Sequence, residues 1–303
     1  MLVAALLGVL VGALIPVQTS VNTRLSRAIG ATLPASLVSF AVGTVGLGAL
    51  VLVTRAPLPL AATAAAQPWW IWVGGLCGAV FLTLNIVLMP RVGASATVLL
   101  PVVGQVVGGL VIDLTGAFGV AERALTVPRL AGTALVVVGA VAVNLGRSAP
   151  GAPSPRGAAM AVLGLLGVVG GVLGAVQTTV NGRLGAVLAS PLSAALVSFT
   201  VGTLCLVVVN LAGRQRVHRP VGARWWTWTG GFLGAAFVTV NALAAPVLGT
   251  SLTVSIVLLG QIVSGLVLDH RGFLGATRRP VSVRRVAGAL LVLLGVAIVR
   301  LWG

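Results

Sequence analysis

The sequence predicts an all-α polytopic membrane protein, with ten transmembrane helices arranged as two five-helix inverted-topology repeats. Three observations support this fold class. Hydrophobic residues make up 58% of the 303 residues and charged residues only 7%, so apolar runs long enough to cross a bilayer cover most of the chain. The motif Gln18-Thr-Ser-Val-Asn22 returns later as Gln177-Thr-Thr-Val-Asn181. Each copy of the pattern contains an odd number of apolar runs, so the second copy should enter the membrane from the opposite face.

The first copy contains five predicted spans. Arginine, proline and glycine mark their ends, which places them at about 2–22, 33–53, 69–89, 94–112 and 130–145. No basic segment precedes the first span. We therefore expect that span to be retained in the protein rather than removed as a signal peptide.

A Pro/Gly/Ser-rich linker at 148–156 separates the first repeat, 1–147, from the second, 157–303. Spans six to ten follow, at about 157–181, 191–211, 225–246, 250–268 and 286–299. The eighth and ninth spans share one long charge-free run. The segment from Pro246 to Gly249 is the predicted boundary between them.

The third span of each copy opens in the same way. Trp69-Trp70-Ile-Trp72 and Trp225-Trp226-Thr-Trp228 are aromatic clusters typical of the membrane–water interface. Glycine pairs follow both clusters, at Gly74-Gly75 and Gly230-Gly231. Small residues at helix contacts allow backbones to approach closely, so we expect tight helix packing there.

Several landmarks keep one register through both copies. Leu37-Val-Ser-Phe-Ala-Val-Gly-Thr44 returns as Leu196-Val-Ser-Phe-Thr-Val-Gly-Thr203, 159 positions later. From the tryptophan clusters onward the offset is 156, as in Pro90 and Pro246. Because five spans per copy make the second copy enter the membrane from the opposite face, we expect a two-fold axis in the membrane plane between the halves.

The arginines predict the orientation. All 19 cationic residues are arginines, and fourteen of the 19 fall in loops on the side opposite the N-terminus. Cytoplasmic loops carry the excess of positive charge, so we expect both termini to lie outside. The formal net charge of +16 then reflects topology and contact with anionic lipid rather than nucleic-acid binding.

In these motifs the chain resembles the YdcZ family of the drug/metabolite transporter superfamily. The resemblance rests on the QTxVNxR ends of spans one and six, the LVSFxVGT cores of two and seven, the WWxWxGG starts of three and eight, and the Gly-Gln and closing Asp of four and nine. It implies the fused ten-helix form of a DMT/EamA-like fold, and an inner-membrane carrier of small molecules. It implies no particular substrate and marks no catalytic residue.

Polar side chains within the apolar runs form the candidate site, because buried amides in a membrane need polar partners or a wet cavity. Gln105 and Gln261, near the middle of their spans, are the predicted central substrate contacts. The others are predicted to line a vestibule or gate: Gln18, Asn22, Ser39 and Asn85 towards the cytoplasm, and Gln177, Asn181, Ser198 and Asn241 towards the outside. The alternative is hydrogen bonding between helices, worth about 0.6–2 kcal/mol each. For Ser39 and Ser198 that structural role is favoured, since a serine hydroxyl can bond the preceding turn.

Asp113 and Asp269 are the acids nearest the membrane, which makes them the candidates for proton or cation coupling. Each closes an apolar run. An aspartate at that position also suits a loop start or an ion pair with Arg129 or Arg285. We favour this structural interpretation because a charge at the interface costs little. No acid lies at the centre of a span, which argues against a simple antiporter mechanism based on a buried carboxylate.

The predicted function is transport of a small molecule by alternating access, with no cofactor and no metal. The absence of central charge favours a neutral or amphipathic metabolite or drug, carried by a monomer surrounded by membrane lipid. An enzyme is disfavoured because His218 and His270 fall in arginine-rich loops, and neither a GxSxG nor a HExxH motif occurs. Two alternatives stay open: a passive channel built from the same inverted repeat, and a membrane scaffold that transports nothing.

Overall fold

The computed structural model describes residues 2–58, 65–92, 94–144, 158–215, 224–272 and 282–302. Within these residues the chain forms ten α-helices: α1 (Leu2–Ile29), α2 (Thr32–Thr54), α3 (Gly74–Val92), α4 (Ala94–Thr115), α5 (Val127–Asn144), α6 (Ala158–Val187), α7 (Pro191–Ala212), α8 (Gly230–Leu248), α9 (Thr250–Arg271) and α10 (Val283–Trp302). Short 3₁₀ turns at Trp69–Trp72 and Trp225–Trp228 precede α3 and α8, and a third at Ala117–Gly119 follows α4. The predicted linker, 148–156, lies outside the described residues.

Six helical segments of the described chain are long and apolar enough to cross a membrane. They are α1, α2, α3, α6, α7, and α8 together with the tryptophan turn before it. Shorter apolar stretches lie in α4, α5 and α9, at Leu100–Thr115, Val127–Gly139 and Leu252–Leu268. A helix satisfies its own backbone hydrogen bonds, which is why so apolar a sequence folds into helices in lipid. The architecture fits a polytopic membrane protein.

The helices α1 and α6 are longer than the sequence predicted. The expected end of α1 lay before Arg24, but the helix continues to Ile29. The charged residue is accommodated because its guanidinium lies 5.3 Å from the ring centre of Trp226, a cation–π distance. As a result Gln18, and Gln177 in α6, lie nearer the middle of their helices than predicted.

Local signals explain where two helices of the second half begin. Ser190 caps α7: its Oγ accepts a hydrogen bond of 3.1 Å from the Ser193 N–H, and Pro191 occupies the first turn. The eighth and ninth helices are divided at Gly249, within the predicted boundary. Its backbone, with φ 83° and ψ 159°, adopts a conformation that is essentially restricted to glycine.

The most extensive helix–helix contacts join one half of the chain to the other. They are α5 with α10, α4 with α6, α1 with α9, α2 with α7, α1 with α8, and α3 with α6. Glycines permit the closest approaches, as predicted. A Cβ added to Gly75 would collide with the Ser198 carbonyl oxygen, and one added to Gly231 would collide with that of Ser39. Each half therefore buries its apolar surface mainly against the other.

Equivalent residues of the two LVSFxVGT motifs touch each other where α2 meets α7. The rings of Phe40 and Phe199 stack with their centroids 4.8 Å apart. The hydroxyl oxygens of Thr44 and Thr203 are 2.9 Å apart, a hydrogen-bond distance. A residue can contact its own equivalent only where the two copies meet, so the repeated motif marks the centre of the interface.

Candidate functional site

The repeated amides of α1 and α6 pack against glycines of the opposite half. In each contact, a Cβ added to the glycine would collide with the amide group. The four contacts are Gln18 with Gly234, Asn22 with Gly230, Gln177 with Gly78, and Asn181 with Gly74. The two amides of each helix are four residues apart, and so are the two glycines that they contact. Both amides therefore lie on one face of their helix, one turn apart, and the two glycines do the same on theirs. Sequence reasoning missed this pairing of motifs, although the common spacing was a usable signal.

Only one of the two equivalent Asn–Ser pairs is hydrogen-bonded in the described part of the chain. Asn181 donates from Nδ2 to Ser198 Oγ at 3.1 Å. In the first half, neither amide atom of Asn22 has a hydrogen-bond partner among the described residues, and Ser39 Oγ has none there either. All four side chains are buried and line none of the cavities described below. Their vestibule role stays a prediction.

Gln18 and Gln177 line one small cavity between the halves, of about 30 Å³, enough for one or two water molecules. Its wall is built from equivalent residues of both halves: Gln18 and Gln177, Phe40 and Phe199, Gly78 and Gly234, Phe81 and Phe237, Leu82 and Val238. The sequence placed the two glutamines in opposite vestibules. Because α1 and α6 are longer than predicted, both amides instead reach the same central space.

Neither of the two predicted central glutamines lines this cavity. Gln105 lies buried against α6, where a Cβ added to Gly174 would be 3.0 Å from its Nε2. Gln261 lines a neighbouring cavity of about 20 Å³. Its buried Nε2 has no hydrogen-bond partner among the described residues, so this amide has unused donor capacity. The role of both side chains as substrate contacts stays a prediction.

Asn85 and its equivalent Asn241 differ in their surroundings. Asn85 lines both small cavities and so lies where their walls meet. Asn241 donates from Nδ2 to the Phe237 carbonyl of its own helix at 2.8 Å. That bond satisfies a donor of Asn241 locally, which fits the structural alternative better than a gate.

A larger cavity of about 190 Å³ lies where α4, α6 and α8 end and α9 begins. We call it the α6 vestibule. Two arginines line it: Arg123 lies over Gly249, where an added Cβ would be 2.6 Å from Nη2, and Arg183 lies beside Gly119, where the corresponding distance is 3.5 Å. Sequence reasoning used these arginines only for topology and missed them as site residues.

Asp113, also on the wall of the α6 vestibule, forms a buried ion pair. Arg129 Nη2 lies 3.0 Å from Asp113 Oδ2, and Arg129 Nη1 donates to the Ala124 carbonyl at 3.2 Å. This is the structural pairing predicted as an alternative to ion coupling. The side chain of Asp269 lies outside what the structure describes, so the corresponding prediction for it stays open.

Comparison with known proteins gives a consistent result. A sequence profile of the family described as "Putative inner membrane exporter, YdcZ" matches residues 3–142 and again 162–298. Over 116 residues, 38% of this chain and 68% of the relative, the chain is 34% identical to "Inner membrane protein YdcZ" of Escherichia coli strain K12. A solved crystal structure superposes with a TM-score of 0.67 at 17% identity, over 98% of this chain and 94% of that chain. That superposition shows a shared fold.

Proposed function

The chain belongs to the YdcZ family of the drug/metabolite transporter superfamily, and from this premise we propose that it is a secondary transporter working by alternating access between two inverted repeats. Family membership makes it a multi-pass inner-membrane transporter. The proposal adds the mechanism and the class of substrate, a small neutral or amphipathic molecule.

The cavity shared by Gln18 and Gln177 is the observation that carries the proposal. Phe40, Phe199 and Gln177 are among residues of both halves on its wall. A site enclosed by two bodies can change its exposure when they rock against each other, as in repeat-built carriers. Aromatic rings beside amide groups suit an amphipathic molecule, with the rings packing its apolar part and the amides binding its polar part.

Inverted repeats are supported by contacts that come in equivalent pairs. Each amide–glycine contact of one half has its counterpart in the other, and Phe40 stacks on its own equivalent, Phe199. Such reciprocity is expected of a two-fold relation. With five helices per half, we propose that all ten span the membrane and that the axis lies in the membrane plane.

Cavities of unequal size favour a carrier rather than a pore. The α6 vestibule measures about 190 Å³, whereas the central cavity measures about 30 Å³. A passive channel, the main alternative, needs a continuous open path. We infer that substrate enters this conformation from the side of the α6 vestibule.

We propose that Gln18 and Gln177 contact the substrate, together with Gln105 and Gln261. Asn22, Ser39, Asn85, Asn181, Ser198 and Asn241 then serve as the braces and gates around them. Proton or cation coupling by Asp113 and Asp269 is retained as a weaker proposal, because Asp113 already forms an ion pair with Arg129.

Both termini are proposed to lie outside, which makes the α6 vestibule the outer one. Reporter fusions after Gly303 test this orientation, since alkaline phosphatase is active outside and green fluorescent protein fluoresces inside. Phosphatase activity is expected. A fluorescent fusion would reverse the orientation and leave the inverted repeat intact.

Uptake of a radiolabelled metabolite panel into proteoliposomes tests the function. We expect one substrate class to show saturable uptake that is accelerated by unlabelled substrate on the trans side. Gln18→Ala with Gln177→Ala should lose it, and so should Gln105→Ala with Gln261→Ala. Gln215→Ala, at an exposed amide, is the control.

The outcomes separate the alternatives. Flux at channel speed without trans acceleration would favour a passive channel. If both double variants fold and transport normally, the central-site proposal is wrong. If no substrate moves and the variants alter only stability, the protein is a scaffold.

A further inference from the structure

The two arginines of the repeated QTxVNxR motif have different neighbours. Arg24 lies over the ring of Trp226, 5.3 Å from its centre. The equivalent tryptophan of the first half is Trp70, but its ring meets Phe118 edge-on, with centroids 5.6 Å apart. Arg183 lies instead beside Gly119 and lines the α6 vestibule.

Arg123 supplies a second cation to the same space. Its guanidinium lies over the backbone of Gly249, the residue that caps the N-terminus of α9. Thr250, the first residue of that helix, is also on the wall. The partial positive charge of the helix N-terminus adds to that of the two guanidinium groups.

The acids nearby do not neutralise this charge. Asp113 is the acidic residue on the described wall, and it is already bonded to Arg129. Glu122, which precedes Arg123, packs over Gly116, where an added Cβ would be 2.7 Å from its Cγ. Its side chain is not part of the vestibule wall. The cavity therefore carries an excess of positive charge.

We propose that the α6 vestibule binds the carboxylate of an organic anion between Arg123 and Arg183. Guanidinium groups form charge-assisted hydrogen bonds with carboxylates, and part of the remaining wall is apolar, with Ala186, Ala245 and Pro246. Such a wall accommodates the apolar body of the ligand. The vestibule thus narrows the substrate class to amphipathic molecules that carry a negative charge, an inference that rests on the proposed function.

Direct binding tests the site without requiring transport. Radiolabelled benzoate is added to the full chain in phosphatidylcholine nanodiscs, and bound label is measured by scintillation proximity. We expect saturable binding that unlabelled benzoate displaces and benzamide, its neutral counterpart, does not. Raising the salt concentration should weaken binding, since exposed charges are screened.

The first copy of the QTxVNxR motif provides the control variant, at Arg24. Arg183→Gln and Arg123→Gln should each weaken benzoate binding by about tenfold or more, and Arg183→Lys should restore part of it. Arg24→Gln, at the equivalent position, should bind as the unmodified protein does. Thermal unfolding of each purified variant verifies that it is folded.

Three results would overturn the proposal. The first is equal displacement by benzamide, and the second is unchanged binding in folded Arg183→Gln and Arg123→Gln. The third is that the unmodified protein binds no benzoate, while the amount of co-purified phosphatidylglycerol falls when Arg123→Gln and Arg183→Gln are combined. The last result assigns the arginines to a lipid headgroup. The proposed function fails separately, because benzoate binding without uptake of any organic acid into proteoliposomes would contradict transport and leave the anion site standing.

Discussion

The QTxVNxR motif occurs towards the ends of both α1 and α6, but the side chains packed around it differ between the two helices. Where α1 ends, Thr23 donates from Oγ1 to Met89 Sδ at 3.3 Å. The equivalent residues beside α6 are Gly182 and Ala245, and both line the α6 vestibule. A threonine and a methionine contact each other at one end, whereas the smaller glycine and alanine line a cavity at the other.

This comparison suggests separate roles for two groups of residues. Those common to both copies build the fold, and those that differ control the access of substrate in the proposed mechanism. Residues common to both copies, such as the amides and the glycines they pack on, make equivalent contacts in the two halves. If the halves were identical, the inward-open and outward-open states would have equal free energy by symmetry. Under the proposed mechanism, the residues that differ between the copies favour one of these states, and Gly182 and Ala245 line the α6 vestibule where their equivalents Thr23 and Met89 contact each other.

The ion pair beside the α6 vestibule gives the largest expected effect. Asp113→Ala should lower the free energy of unfolding by about 3–5 kcal/mol, because it leaves Arg129 buried without its partner. Thermal unfolding in detergent measures this. The double variant Asp113→Leu with Arg129→Met should recover much of the loss. Wild-type stability combined with loss of pH-dependent transport would instead favour a coupling role for Asp113.

Glycines common to both copies should respond alike. Gly75→Val and Gly231→Val each push a side chain into a backbone carbonyl, which should cost about 1–3 kcal/mol. The control is Gly48→Val, because an added Cβ there meets only Leu196 Cδ1 at 4.0 Å. Thermal unfolding and size-exclusion profiles measure the effect. If one of the two glycines tolerates valine and the other does not, the shared residues do not build equivalent contacts.

The Asn–Ser pairs should respond unequally. Asn181→Leu removes a hydrogen bond to Ser198, whereas Asn22→Leu removes a group that has none. The first substitution should cost about 1 kcal/mol more than the second. Paired unfolding curves measure the difference, and equal costs would mean that the asymmetry does not persist in the membrane.

The two motif arginines give the smallest effect. Arg24→Gln should lose about 0.5–1 kcal/mol of stability with its contact on Trp226. Arg183→Gln has no such contact to lose and should leave stability unchanged while it weakens benzoate binding. Loss of stability in Arg183→Gln alone would reverse the assignment of structural and binding roles.

Helix positions could be read from the sequence, because apolar length and glycine or proline boundaries act locally. Gly249 divides α8 from α9 as predicted. The end of α1 was placed too early since Arg24 was treated as a stop, and its stacking on the distant Trp226 cannot be read from neighbouring residues. That error also put Gln18 too far from the centre.

The site could be predicted only in part. The repeated polar residues were identified, and the pairing of Asp113 with Arg129 was among the alternatives. The vestibule arginines were missed because their role depends on which side chains surround them in the folded protein, and these differ between the two copies of the motif. For Arg183 the relevant neighbour is Phe118, because its ring contacts the ring of Trp70, the equivalent of the tryptophan on which Arg24 lies. No spacing within one copy of the repeat reveals that exchange.

Sided labelling of one equivalent pair tests the central claim, that the two halves are inverted and face opposite sides of the membrane, most directly. Ala245→Cys and Met89→Cys are made separately in a background lacking Cys77 and Cys205, and a membrane-impermeant maleimide is applied to spheroplasts or to inside-out vesicles. We predict that Ala245→Cys labels only from the outside, and that Met89→Cys labels only from the cytoplasmic side. Labelling of both cysteines from the same side would contradict the account.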